Sequence, residues 1–79
     1  MIPVIGQAIK AIREERSITQ HELAKRLGYS QSNISKYENG DLGIDANFLI
    51  KIARAMDCSV EEIYRRASTN NHDKERKTS

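Results

Sequence analysis

The stretch TQHELAKRLGYSQSNISKYENG, residues 19–40, decides how the rest of the chain reads. Thr19 is a helix-capping residue, and Glu22 three positions later completes a capping box. Ile18 before the cap and Leu23 after it form an apolar staple over the helix start. Gly28 ends this helix, where a left-handed residue costs a glycine little. The same grammar then restarts with Tyr29, Ser30 and Ile34, and Gly40 closes the second helix. Two short helices joined by Gly28-Tyr29-Ser30 are a helix-turn-helix. Ala24 fits that reading, because a small side chain lets the two helices approach closely.

Working outward, the cap-and-staple pattern recurs at Ile44, Asp45 and Leu49, and at Cys58, Ser59 and Ile63. Ser59 with Glu62 makes a second capping box. The first helix has a less marked start. Pro3 suits its first turn, and Ile5, Ile9 and Ile12 recur at helical spacing as one apolar stripe. The pattern therefore predicts an all-α domain over residues 1–66, with helices at 4–16, 20–27, 31–39, 46–56 and 60–66. No stretch alternates apolar and polar residues, so no sheet is expected. Beyond Ala67 no apolar residue occurs, and 67–79 reads as a flexible polar tail.

With 79 residues the chain holds one domain, near the size at which a core just supports itself. Cys58 is the lone cysteine, which excludes an internal disulfide and fits a reducing cytoplasm. No signal-peptide pattern and no membrane-length apolar run is seen. His21 and His72 are the two histidines, and no His or Cys spacing suits a metal. No glycine-rich phosphate loop occurs either, so neither catalysis nor a cofactor is expected. His21, in the first turn of its helix, is expected to face solvent or phosphate. The net charge is +2, so any nucleic-acid affinity must come from local charge more than from the total.

The faces of the third helix carry the functional signal. At about 100° per residue, Ile34 and Tyr37 point to the core, while Ser32, Ser35, Lys36 and Asn39 point away and Gln31 stands at the leading end. The outer face is short, rich in hydrogen-bonding groups and charged only at Lys36. That composition suits base edges in a DNA groove, where Gln and Asn pair bidentately with adenine and Ser meets donors or acceptors. A well-capped surface helix accounts for this face equally well on its own; the surrounding helix grammar separates the two readings. Glu38 projects close to Ile34, and Arg13 follows the apolar stripe of the first helix. Opposite charges on inward positions pair because an unpaired buried charge is costly, so an Arg13–Glu38 ion pair is predicted. The alternative is that both side chains reach outward to water. Cys58 is expected to pack on Ile63, with a redox role the lesser reading.

Taken together, the run from Arg13 to Gln20, then Glu22-Leu23-Ala24, Leu27-Gly28-Tyr29-Ser30, Ile34-Ser35-Lys36-Tyr37-Glu38-Asn39-Gly40 and Leu49-Ile50-Lys51-Ile52-Ala53-Arg54-Ala55-Met56 resembles the phage-repressor/Cro (Xre-type) helix-turn-helix family. The likeness extends over about residues 5–66. It implies a five-helix lambda-repressor-like domain and a cytoplasmic, sequence-specific transcription regulator, a repressor that binds a near-palindromic DNA operator as a homodimer. It also implies base reading by Gln31, Ser32, Asn33, Ser35 and Lys36, with Gln20 on the backbone or an outer base and Asn39 on phosphate. The chain departs from the family where Ser17 replaces a common Gly and Ile44 a common Pro. The loop Asp41-Leu42-Gly43 also lacks the usual basic residues. An adaptor or antitoxin module of the same fold, with a protein partner, is the rival reading. An adaptor favours apolar or acidic residues on the third helix, and this helix has neither pattern on its outer face. Phe48 and Ile50 exceed the single apolar stripe that the fourth helix needs and Tyr64 follows on the fifth, so these three are expected at a dimer interface. The plainer alternative has Phe48 and Ile50 filling the chain's own core.

Overall fold

The starts of the four later helices are each set by a side-chain oxygen that takes up a free backbone amide. Thr19 Oγ1 accepts from the Glu22 N–H at 3.0 Å, Ser30 Oγ from Asn33 at 3.2 Å, Asp45 Oδ1 from Phe48 at 2.8 Å and Ser59 Oγ from Glu62 at 3.0 Å. The computed structural model describes residues 4–68, and over these the chain forms five helices and no strand. They are α1 (Val4–Glu15), α2 (Gln20–Leu27), α3 (Gln31–Asn39), α4 (Ala46–Ala55) and α5 (residues 60–68). Pro3, expected to open α1, lies outside the described residues.

The helix ends share one device. The amides of Ile18, Tyr29, Asp41 and Cys58 each reach back five residues, to the carbonyls of Arg13, Ala24, Lys36 and Ala53, at 2.8–3.0 Å. This closure requires a left-handed residue just before the returning amide. Gly28 (φ 74°) and Gly40 (φ 89°) supply it after α2 and α3, while Ser17 (φ 59°) and Asp57 (φ 60°) adopt it after α1 and α4. Arg16 and Arg26 add a further stop to α4. Arg16 Nη1 donates to the carbonyls of Met56 and Asp57 at 3.2 Å each, and Arg26 Nη1 to that of Ala55 at 2.6 Å. Cations there also complement the negative end of the helix dipole.

The core is one cluster. Ile9 and Ile12 of α1, Leu23 of α2, Ile34 of α3, Ile52 of α4, Met56 just past its end and Ile63 of α5 are almost wholly enclosed. Gly6 sets the spacing of α1 on α3: a Cβ there would lie 2.6 Å from the Tyr37 carbonyl oxygen and 2.7 Å from that of Glu38. Arg66 joins α5 to α1 through a two-pronged pair with Glu15, one prong 2.8 Å long.

Three expectations need correction. Phe48 does not stand at the surface; it is 8% exposed. It packs against Tyr37 (centroids 4.6 Å) and Tyr29 (5.0 Å), the two aromatic rings that the helix-turn-helix brings against α4. The second concerns α5, which does not stop at 66: it continues through 68, and Ala67 is buried, so the tail begins later than the polar run suggested. The remaining tail, 69–79, lies outside the described residues. Finally, neither capping box closes: Glu22 and Glu62 are each held through the amide alone, and the Glu22 carboxylate turns to Arg26 at 2.9 Å.

Candidate nucleic-acid interface

The outer face of α3 is built from the inside. Arg13 and Glu38 lie buried between α1 and α3, at 6% and 3% exposure. Arg13 Nε donates to Glu38 Oε2 at 2.6 Å and Nη2 to Oε1 at 3.1 Å, a bidentate pair; Nη1 donates to the Ile18 carbonyl at 2.8 Å. Glu38 Oε1 also accepts from Gln20 Nε2 at 3.0 Å, and Gln20 Oε1 accepts from Gln31 Nε2 at 3.4 Å. A chain of hydrogen bonds thus runs from the buried ion pair, through the first residue of α2, to the first residue of α3. It fixes the Gln20 amide with its nitrogen inward and its oxygen toward Gln31. Among the described residues, Gln31 keeps one N–H and its amide oxygen free, the donor and acceptor that a bidentate adenine contact uses.

Gln31, Ser32, Lys36 and Asn39 are exposed, and Ser35 is half-buried among them. Ser32, Ser35, Lys36 and Asn39 follow helical spacing and so share one face, with Gln31 at its leading edge. Asn33 is half-buried and lies on the flank, and Gln20 is half-buried beside Gln31. Lys36 makes no ion pair among the described residues. Asp41 is exposed just past α3, a negative charge close to Asn39 in the chain.

Gln7 and Lys10 were not singled out by sequence. They line an open groove with Asn39, because α1 packs so tightly on the end of α3 at Gly6. Glu14 shares that groove, so its charge is balanced. The available signal was the lone Gly6 inside an apolar helical stripe, which marks a close backbone approach.

The other candidates separate. His21 is exposed in the first turn of α2, and His72 lies outside the described residues. Cys58 is half-buried against the core, and burial pushes its thiol up from the usual range. Among the described residues no group of His, Cys, Asp and Glu could hold a metal, and no helix is long and apolar enough to cross a membrane. Ile50 (42%) and Tyr64 (53%) are exposed, and so is Leu42 (38%). Leu42 and Tyr64 line an apolar groove with Ile5, Ile44 and Leu49.

The helix-turn-helix family model matches residues 9–63. A competence pilus inhibition repressor from Acinetobacter baylyi is 40% identical over 60 residues, covering 76% of this chain and 54% of that protein. The antitoxin PezA of Streptococcus pneumoniae is 32% identical over 60 residues, covering 76% of this chain and 38% of that one. The chain therefore spans about half or less of these relatives' length. Among solved structures, the P22 c2 repressor in complex with a synthetic operator is similar at a TM-score of 0.65 and 29% identity. That match covers 75% of this chain and 89% of the other.

Proposed function

The chain belongs to the helix-turn-helix family of the phage-repressor type, and from that premise we propose that it is a cytoplasmic repressor of transcription that reads DNA with α3 as one half of a homodimer. The observation that carries the reading is the hydrogen-bonded chain Arg13–Glu38–Gln20–Gln31, which holds a glutamine amide ready at the leading end of an uncluttered polar face. Pre-ordering that side chain removes part of the entropy cost of binding. Gln31, Ser32, Ser35 and Lys36 read base edges, with Asn33 at their flank, while Gln20 and Asn39 hold the sugar-phosphate backbone. The similar P22 c2 repressor is described on an operator, and the Acinetobacter baylyi relative is a repressor; both support this reading.

The test begins with selection of a binding site from a random duplex pool, then anisotropy titrations of that site and of mismatched sites. Gln31→Ala should weaken the selected site by about 1–3 kcal/mol and relax preference at one base position. Equal loss on every sequence would assign Gln31 to phosphate. Failure to select any site would overturn the DNA-reading proposal itself. An antitoxin-like protein partner is the second reading, favoured by the likeness to PezA.

A further inference from the structure

We propose that the groove between α2 and α4 is a docking site for an acidic, leucine-bearing segment of a protein partner. Arg26, Lys51 and Arg54 line this groove, with Leu27 and Ala55 between them. Arg26 is held in place, with Nη1 on the Ala55 carbonyl and Nη2 on Glu22. Lys51 and Arg54 are exposed and make no ion pair among the described residues. They stand three apart on one helix, where like charges repel. The whole chain carries +2, so these cations are a local concentration of charge and not a sample of a basic surface.

Two features select the occupant. The half-buried Leu27 and Ala55 give the groove an apolar floor beneath a cationic rim. A phosphate backbone gains nothing from such a floor, whereas a peptide carrying both carboxylates and leucine uses floor and rim together. The groove also shares no residue with the face formed by Gln20, Gln31 and Asn39, so a partner bound there leaves α3 free.

The probe is a fluorescein-labelled synthetic peptide with Glu and Leu at helical spacing, titrated against the full chain by anisotropy. Its Glu-to-Gln counterpart serves as reference. The wild type should bind the acidic peptide and not the Gln one. Lys51→Glu with Arg54→Glu should weaken binding about tenfold or more. Lys25→Glu with Arg65→Glu, the same charge change at exposed sites that do not line the groove, should leave most of it. Lys51→Gln with Arg54→Gln repeats the test with a smaller perturbation, and circular dichroism checks that each variant is folded. Equal losses in the two Glu pairs, or no binding by the wild type, would overturn the proposal. So would a selective loss of affinity of the groove variants for random duplex DNA with a shallower salt dependence, which would assign the groove to nucleic acid.

Discussion

A methyl group decides how α1 can sit on the recognition helix. At Gly6 it would meet two backbone oxygens, which cannot turn aside as a flexible side chain can. Alanine gains about 1 kcal/mol in helix propensity, but forcing a close backbone contact apart costs about 1–3 kcal/mol. Gly6→Ala should therefore destabilise the domain, read as a lower urea midpoint; a raised midpoint would show that α1 has room to move. Ser17 gives the opposite case. Its φ of 59° is the left-handed region, and its exposed side chain makes no hydrogen bond among the described residues. Ser17→Gly should stabilise by up to about 1 kcal/mol, less the larger unfolded-state freedom of glycine. Asp57, at φ 60°, should respond less, because Asp tolerates this region better. An unchanged midpoint for Ser17→Gly would show the strain to be negligible. These residues also mark what the sequence discloses. Gly28 and Gly40 were legible as helix stops because each directly follows an apolar-periodic run. Gly6 was not, since an isolated glycine inside a stripe says that something comes close without saying what.

The elements were legible wherever cap and staple coincide, which is why α2 and α3 end where the spacing set them. They were less legible where a boundary depends on tertiary contact. Ala67 extends α5 by packing on a core that no local pattern describes, and Phe48 is drawn inward by Tyr29 and Tyr37 from other elements. The ion pair between α1 and α3 followed from two inward-leaning charges, but its third partner, Gln20, did not, because a polar first-turn Gln has no reason on sequence alone to turn inward. That partner connects the buried pair to Gln31, the residue proposed to read a base. Arg13→Met should cost about 3–5 kcal/mol, since it leaves the Glu38 carboxylate buried with only Gln20 beside it, whereas Arg13→Met with Glu38→Leu should cost less than the two single changes summed. The double change also frees Gln20, so base discrimination at the Gln31 position should relax even where the fold holds. A double-mutant cycle with no coupling energy would sink the first expectation, and unchanged discrimination in the folded double variant would sink the second.

At the scale of the molecule, one α3 on DNA would touch too few base pairs for useful specificity, and a symmetric pair of copies would set two recognition helices about 34 Å apart on one face of the duplex. The surface available for such pairing is smaller than the sequence suggested. With Phe48 enclosed, the exposed apolar side chains on that side are Tyr64 and Leu42 at the groove over Ile5 and Ile44, and Ile50 one turn along α4 from Ala46, which lines that groove. Burying Tyr64 against its symmetry mate would remove the most exposed large apolar side chain among the described residues. The two kinds of residue separate in one experiment. Phe48→Ala should destabilise the monomer by about 3–5 kcal/mol, as a core truncation does, and weaken pairing only through that loss. Tyr64→Ala should leave the monomer's urea midpoint within about 0.5 kcal/mol of the wild type, as an exposed substitution does, yet shift sedimentation toward monomer, with and without operator. Cooperative filling of both half-sites should fall with it. A Tyr64→Ala protein that still sediments as a dimer would move the interface off this groove. A wild type that saturates one half-site as a monomer would remove the need for an interface, and α3 would then have to draw its specificity from fewer bases than a palindromic operator offers.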